Sequence, residues 1–147
     1  MKSFFNQEAF DEIWSRMQKL SADSNASWGK MNVGQMMHHC QGPLNIILGK
    51  NHYGFKPSWL AKIFFKKSLY NDKSWRKNLP TAKALRVKDQ RDFETETAVL
   101  NGLMQELFER RDQAEWEPHP AFGYFTKEQW GKMQYKHLDH HFRQFGA

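Results

Sequence analysis

Four stretches of this chain repeat apolar residues every three or four positions, and none alternates apolar with polar residues as a half-buried strand must. That periodicity restricts the chain to helices, each of which has to bury one stripe against its neighbours. The first stretch runs from Gln7 to Leu20, with Phe10, Ile13, Trp14, Met17 and Leu20 on one stripe, and "SADSNASWGK" ends it. The second opens at Asn32, a capping residue with Gln35 three positions on to complete a capping box, and carries Val33, Met36, Met37, Cys40, Leu44 and Ile47. Gly42-Pro43 lies inside it. Proline lacks the N–H that would bond the preceding turn, so a kink or break is expected there. The third stretch spans Asp92 to Arg111, with Phe93, Leu100, Leu103, Met104, Leu107 and Phe108 inward and Arg110 and Arg111 complementing its negative end. The fourth opens at Thr126, with Gln129 as capping-box partner, and reaches Gln144 ahead of Gly146.

Residues 49 to 90 form a long crossover between the second and third helices. "HYGFKPSW" and "NLPTAKALRVKDQ" read as loop, and "SWLAKIFFKKSLY" as a short helix starting at Ser58. Four helices joined by one long and two shorter connections describe an all-α four-helix bundle, an architecture whose core readily holds a metal between facing helices. At 147 residues the whole chain, 1–147, is expected to form one domain with its own core.

Composition removes several classes. The lone cysteine, Cys40, excludes an intrachain disulfide, and the start "MKSFFNQEAFDE" turns acidic before an apolar signal segment can form. No apolar run approaches a membrane span. These features predict a reducing, cytoplasmic setting. The net charge of +6 would attract nucleic acid or anionic membrane surfaces, and much of the excess lies in "KPSWLAKIFFKKSLYNDKSWRK", Lys56 to Lys77, where aromatics interleave with Lys and Arg. Such a segment could stack bases or rest on lipid headgroups. The simpler reading, favoured here, is a solvated basic surface over a short amphipathic helix, because no nucleic-acid motif accompanies it. A non-catalytic module that contacts nucleic acid or an anionic surface through this segment is the alternative to a metal-centred function.

The stretch "YKHLDHHFRQF" packs three of the seven histidines into five positions. Trp130, Met133, Leu138 and Phe145 share one helical face, with His137 and His141 near its middle, His140 toward its edge and Asp139 pointing away. At i and i+4, His137 and His141 stack one turn apart, within reach of a common ion. Two buried imidazoles without partners would be costly, and a metal satisfies both. A third ligand is available in "MMHHC" on the second helix, where His38 and His39 flank the apolar stripe and helical spacing does not separate them. Imidazole nitrogens suit zinc, nickel, copper or ferrous iron, and three of them with a fourth position left open form a catalytic rather than a structural site. His52 and His119 fall in loops and read as surface or packing residues. Cys40 lies on the apolar stripe and reads as a buried, inert thiol. Glu96, on the inward side of the third helix, is a candidate partner or general base. No nucleophile, base and orienting acid stand at hydrolase spacing, and the Glu-x-x-His pairs of di-iron bundles are missing.

"MNVGQMMHHC" on the second helix and "KHLDHHFRQF" on the fourth resemble the DinB-like superfamily of four-helix-bundle metalloproteins, which includes the bacillithiol and mycothiol transferases. "HPAFGYFTKEQWGKMQYKHLDHHFRQFG" is similar to one branch of it, known only as a domain of unknown function. The resemblance implies an up-down-down-up bundle and a divalent metal, zinc or nickel ahead of iron or manganese. Carried over by position, its ligands are His39, His137 and His141, with His39 preferred to His38. It further implies a homodimer, and a metal-activated transfer between a low-molecular-weight thiol and an electrophilic small molecule. It leaves the catalytic residues of this branch unassigned.

Overall fold

The helix starts follow the capping residues. Asn32 and Gln35 exchange side-chain and backbone bonds at 2.8 and 3.0 Å, Thr126 and Gln129 do so at 3.2 and 3.1 Å, and Asp92 accepts from the Thr95 N–H at 2.8 Å. Each such cap stabilises its helix by about 1 kcal/mol. The computed structural model describes residues 1–147, and it is all-helical. Its helices are α1 (Gln7–Met17), α2 (Val33–Ile47), α3 (Trp59–Phe64), α4 (Lys66–Tyr70), α5 (Phe93–Glu109) and α6 (Lys127–Gln144). A single 3-10 turn, Lys83–Leu85, interrupts the crossover. No helix is long and apolar enough to cross a membrane.

One apolar cluster runs from Phe4 to Phe145. Its main seam is α2 against α5; α2 also packs on α6, and α1 and α4 pack on α6. Phe10 of α1 stacks on Phe108 of α5 with centroids 4.1 Å apart. Ahead of α1, the Phe4 N–H bonds the Gly131 carbonyl of α6 at 3.0 Å, an approach open because Gly131 has no Cβ to strike Ser3.

Two expectations are corrected. α2 runs through Pro43 as one helix, so the break expected there does not occur. It buries Met36, Met37, Leu44, Ile46 and Ile47 against α5 and α6. At roughly 2 kcal/mol for each such side chain, this burial outweighs the ~3 kcal/mol an interior proline costs. The Lys56–Lys77 segment does contain a helix beginning after Ser58, but it is not an amphipathic helix with its apolar face turned inward. No residue of α3 or α4 is buried.

Candidate metal centre

α2 and α6 bring three histidine rings together. His39, His137 and His141 are all buried, and one ring nitrogen from each lies within 4.8 Å of the others. The closest approach is His39 Nε2 to His137 Nε2, 3.1 Å. Nitrogens bound to one tetrahedral ion at about 2.0–2.1 Å lie roughly 3.4 Å apart, so this pair already has nearly the required spacing.

Hydrogen bonds fix two of the rings. His39 Nδ1 lies 2.9 Å from the Leu85 carbonyl, which can only accept, so Nδ1 carries the proton and Nε2 keeps its lone pair. His141 Nδ1 lies 2.9 Å from Gln144 Oε1. The Gln144 amide donates its own N–H to the Trp28 carbonyl at 2.6 Å, which orients the oxygen toward His141 and leaves Nε2 of that ring free as well. His137 differs: its Nδ1 is buried with no partner. That atom is not the nitrogen that faces His39, so the fit to a metal rests on the donor set itself: three buried, neutral imidazoles brought together suit a borderline divalent ion. The residues fit the metal that the DinB-like resemblance implies.

Burial keeps the rings neutral. It holds His137 well below the ordinary 6.5, with His141, His39 and His140 adding to the effect. Burial, reinforced by His39 and partly opposed by the Gln144 bond, pushes His141 down to about 3. His39 is lowered by burial against the opposing bond to Leu85. Neutral imidazole is the form that ligates.

The other sequence candidates are placed as follows. His38 turns away from the triad to Glu96, Nδ1 to Oε2 at 2.9 Å. Glu96 also accepts from Gln41 Nε2 at 2.7 Å and from Arg91 at 3.3 Å. Burial raises its carboxyl, but the bonds from His38 and Gln41 outweigh this and hold it below the usual range. Glu96 therefore serves a neighbouring polar cluster and touches none of the three rings. Cys40 is fully buried, its thiol pushed well up by burial, against Met36. His52 is exposed, whereas His119 is buried among Phe55, Phe122, Phe125 and Trp130. His140 is buried rather than marginal, in contact with Trp28, Trp75 and His141. Asp139 lies off the histidine face, half-buried between Arg16 at 2.8 Å and Arg143 at 2.7 Å, and ties α1 to α6.

Three groups at the site were not anticipated. The Leu85 carbonyl comes from the crossover, and a backbone acceptor has no residue signature. Trp75, also from the crossover, packs edge-on against His137 and His140, with centroids 6.0 and 5.7 Å away. Gln144, three residues after His141, was detectable from helical spacing. A cleft of about 70 Å³ reaches His39 beside His38, Tyr53, Leu85, Arg86 and Arg91, but neither His137 nor His141 lines it.

Fold and cluster together define an all-helical protein with a buried three-histidine site that could hold a metal ion. A family model described as "Protein of unknown function (DUF1569)" matches residues 2–147, and the chain belongs to that family. No curated protein and no solved structure matches it.

Proposed function

We propose that this chain is a cytoplasmic metalloprotein with the up-down-down-up four-helix bundle of the DinB-like superfamily. His39, His137 and His141 hold one divalent ion, zinc or nickel first by donor set, and the site serves transfer of a low-molecular-weight thiol to an electrophile. The observation that carries this reading is the convergence of three buried, neutral imidazoles, two of them already oriented through Nδ1. When bound, a divalent ion at three imidazoles supplies an open position at which a thiol loses its proton near neutral pH. The protein's part is positional. Leu85 and Gln144 direct the His39 and His141 lone pairs inward, and Trp75 and Trp28 screen the cluster on the His140 side. Cys40 takes no part as a nucleophile, since its buried thiol stays protonated. Homodimer formation follows from the same resemblance.

The test is elemental analysis of untagged protein, comparing wild type with a His39→Ala/His137→Ala/His141→Ala variant. The expected result is about one equivalent of divalent metal in the wild type and none in the variant, whose helical circular dichroism persists. Equal metal in both, or none in either after reconstitution, refutes the reading. A loaded wild type then justifies screening thiols against electrophiles.

A further inference from the structure

The crossover exposes an apolar surface that the metal site does not use. In α3, Trp59 is 70% exposed, Leu60 50%, Ile63 64% and Phe64 68%, and Phe65 follows at 60%. At 100° per residue, Trp59, Ile63, Leu60 and Phe64 fill an arc of about 140°. Monomeric proteins rarely leave contiguous apolar surface of this kind in water unless it binds something.

The helix is held in place. The Ser58 N–H bonds the Ala121 carbonyl at 3.2 Å, Ser58 Oγ caps Ala61 at 3.2 Å, and Lys66 donates to the Tyr124 carbonyl while lying 4.4 Å over the Phe125 ring. Tyr124, on that supporting loop, is itself 67% exposed. Along this part of the chain the charge has one sign. No Asp or Glu occurs from Ser24 to Asn71, and Lys56, Lys62 and Lys67 are exposed with no ion-pair partner.

We propose that the outward face of α3, flanked by Lys56, Lys62 and Lys67, docks this protein on an anionic membrane surface. The composition favours lipid over other occupants. Leu60 and Ile63 separate the aromatic rings and offer a base nothing to stack on, but they gain by entering hydrocarbon alongside Trp59 and Phe64, as the apolar side of an interfacial helix does. A second copy is disfavoured by charge. A two-fold contact through this patch sets the lysines against their equivalents, and the segment carries no acid to meet them. An anionic headgroup layer supplies both the apolar phase and the counter-charge.

Co-sedimentation of the full protein with phosphatidylcholine vesicles, with and without phosphatidylglycerol, tests this as salt is varied. The expected result is binding to the mixed vesicles that exceeds binding to the neutral ones and weakens with salt. Lys56→Ala/Lys62→Ala/Lys67→Ala should lose about fivefold per lysine, on the order of a hundredfold in all. Trp59→Ser/Ile63→Ser/Phe64→Ser should lose binding at every salt concentration; all six positions are exposed, so both variants should keep the wild-type circular dichroism. Absence of vesicle binding, or equal binding by wild type and either variant, overturns the proposal. Sedimentation equilibrium and a mixed nucleic-acid shift assay complete it: a dimer that only the apolar variant dissolves, or nucleic-acid binding in the absence of vesicle binding, also overturns it.

Discussion

His119 should make this protein acid-sensitive by an amount the structure allows to be worked out. Its ring lies nearly parallel to Trp130 at 5.9 Å, with Phe122 at 4.8 Å, and it is 5% exposed. Nδ1 accepts from the Ala121 and Phe122 amides at 3.0 and 3.3 Å, so that nitrogen can take a proton only by giving up both bonds. Burial, helped by Lys66 and His52, pushes the group down to about 4 from an ordinary 6.5. In the unfolded chain the same ring charges near 6.5. Between these values the unfolded state binds the extra proton, so the neutral ring's stabilisation is complete above 6.5 and is lost as pH falls toward 4. At about 1.4 kcal/mol per pH unit, the loss approaches about 3 kcal/mol, a large share of the 5–15 kcal/mol typical of a domain.

Urea unfolding of wild type and His119→Asn across this range measures the effect. The asparagine oxygen replaces Nδ1 as acceptor and does not titrate, while the lost ring costs stability at every pH. The quantity to follow is therefore the stability gap between the two proteins. The gap should narrow by about 2–3 kcal/mol between about pH 7.5 and about pH 4.5. His137 and His141 titrate with the same sign in both proteins, so the subtraction removes them. A gap that stays constant would mean His119 is no harder to protonate in the fold than outside it, and the account of its burial would be wrong.

Two further changes test the framework of the site. Gln144→Leu removes the acceptor for His141 Nδ1 and the donor to Trp28, and should weaken metal binding roughly 10–100-fold in a chelator competition titration; unchanged affinity would show that His141 needs no such support. Gly34→Ala would set a Cβ 2.2 Å from the Arg91 carbonyl oxygen, backbone that cannot rotate aside. It should cost about 2–4 kcal/mol in chemical denaturation despite alanine's better helix propensity, and a neutral result would mean that α2 and the backbone entering α5 at Arg91 can move apart.

Local features of the sequence carried furthest. Capping boxes at Asn32 and Thr126, and the apolar stripes between them, need only neighbours along the chain, and His137 with His141 is an i, i+4 relation of the same kind. Whatever depended on a partner from elsewhere was not legible. His38 and His39 sit on either side of one stripe, and what separates them is Glu96 facing one and Leu85 facing the other. Pro43 reads as a breaker because its cost is local, whereas the burial that overrides it comes from α5 and α6. Periodicity in Trp59–Phe64 indicates an apolar face and says nothing of where that face points. Asp139 reads only as pointing away from the core face, because its partner Arg16, on another helix, is invisible to a helical wheel.

The crossover does more for the site than join two helices. α2 and α6 alone would bring the three rings together, but the Leu85 carbonyl that sets the His39 tautomer and the indole of Trp75 over His137 both come from it. That places a demand on how firmly it is held. Lys136, next to His137, meets the demand: its side chain is buried, and its ammonium group donates to the Ser68 carbonyl at 2.8 Å, the Asn71 carbonyl at 3.1 Å and Asn71 Oδ1 at 2.6 Å. Three acceptors satisfy all three ammonium protons, so the charge tolerates burial even though burial pushes its pKa down to about 8. The Ser68 carbonyl also accepts from the Trp75 indole at 2.9 Å. One buried lysine thus links the helix that carries two of the histidines to the loop that covers them. The position of Trp75 over the cluster therefore depends on α6 itself, and the same anchorage fixes the base from which the exposed face of α3 projects.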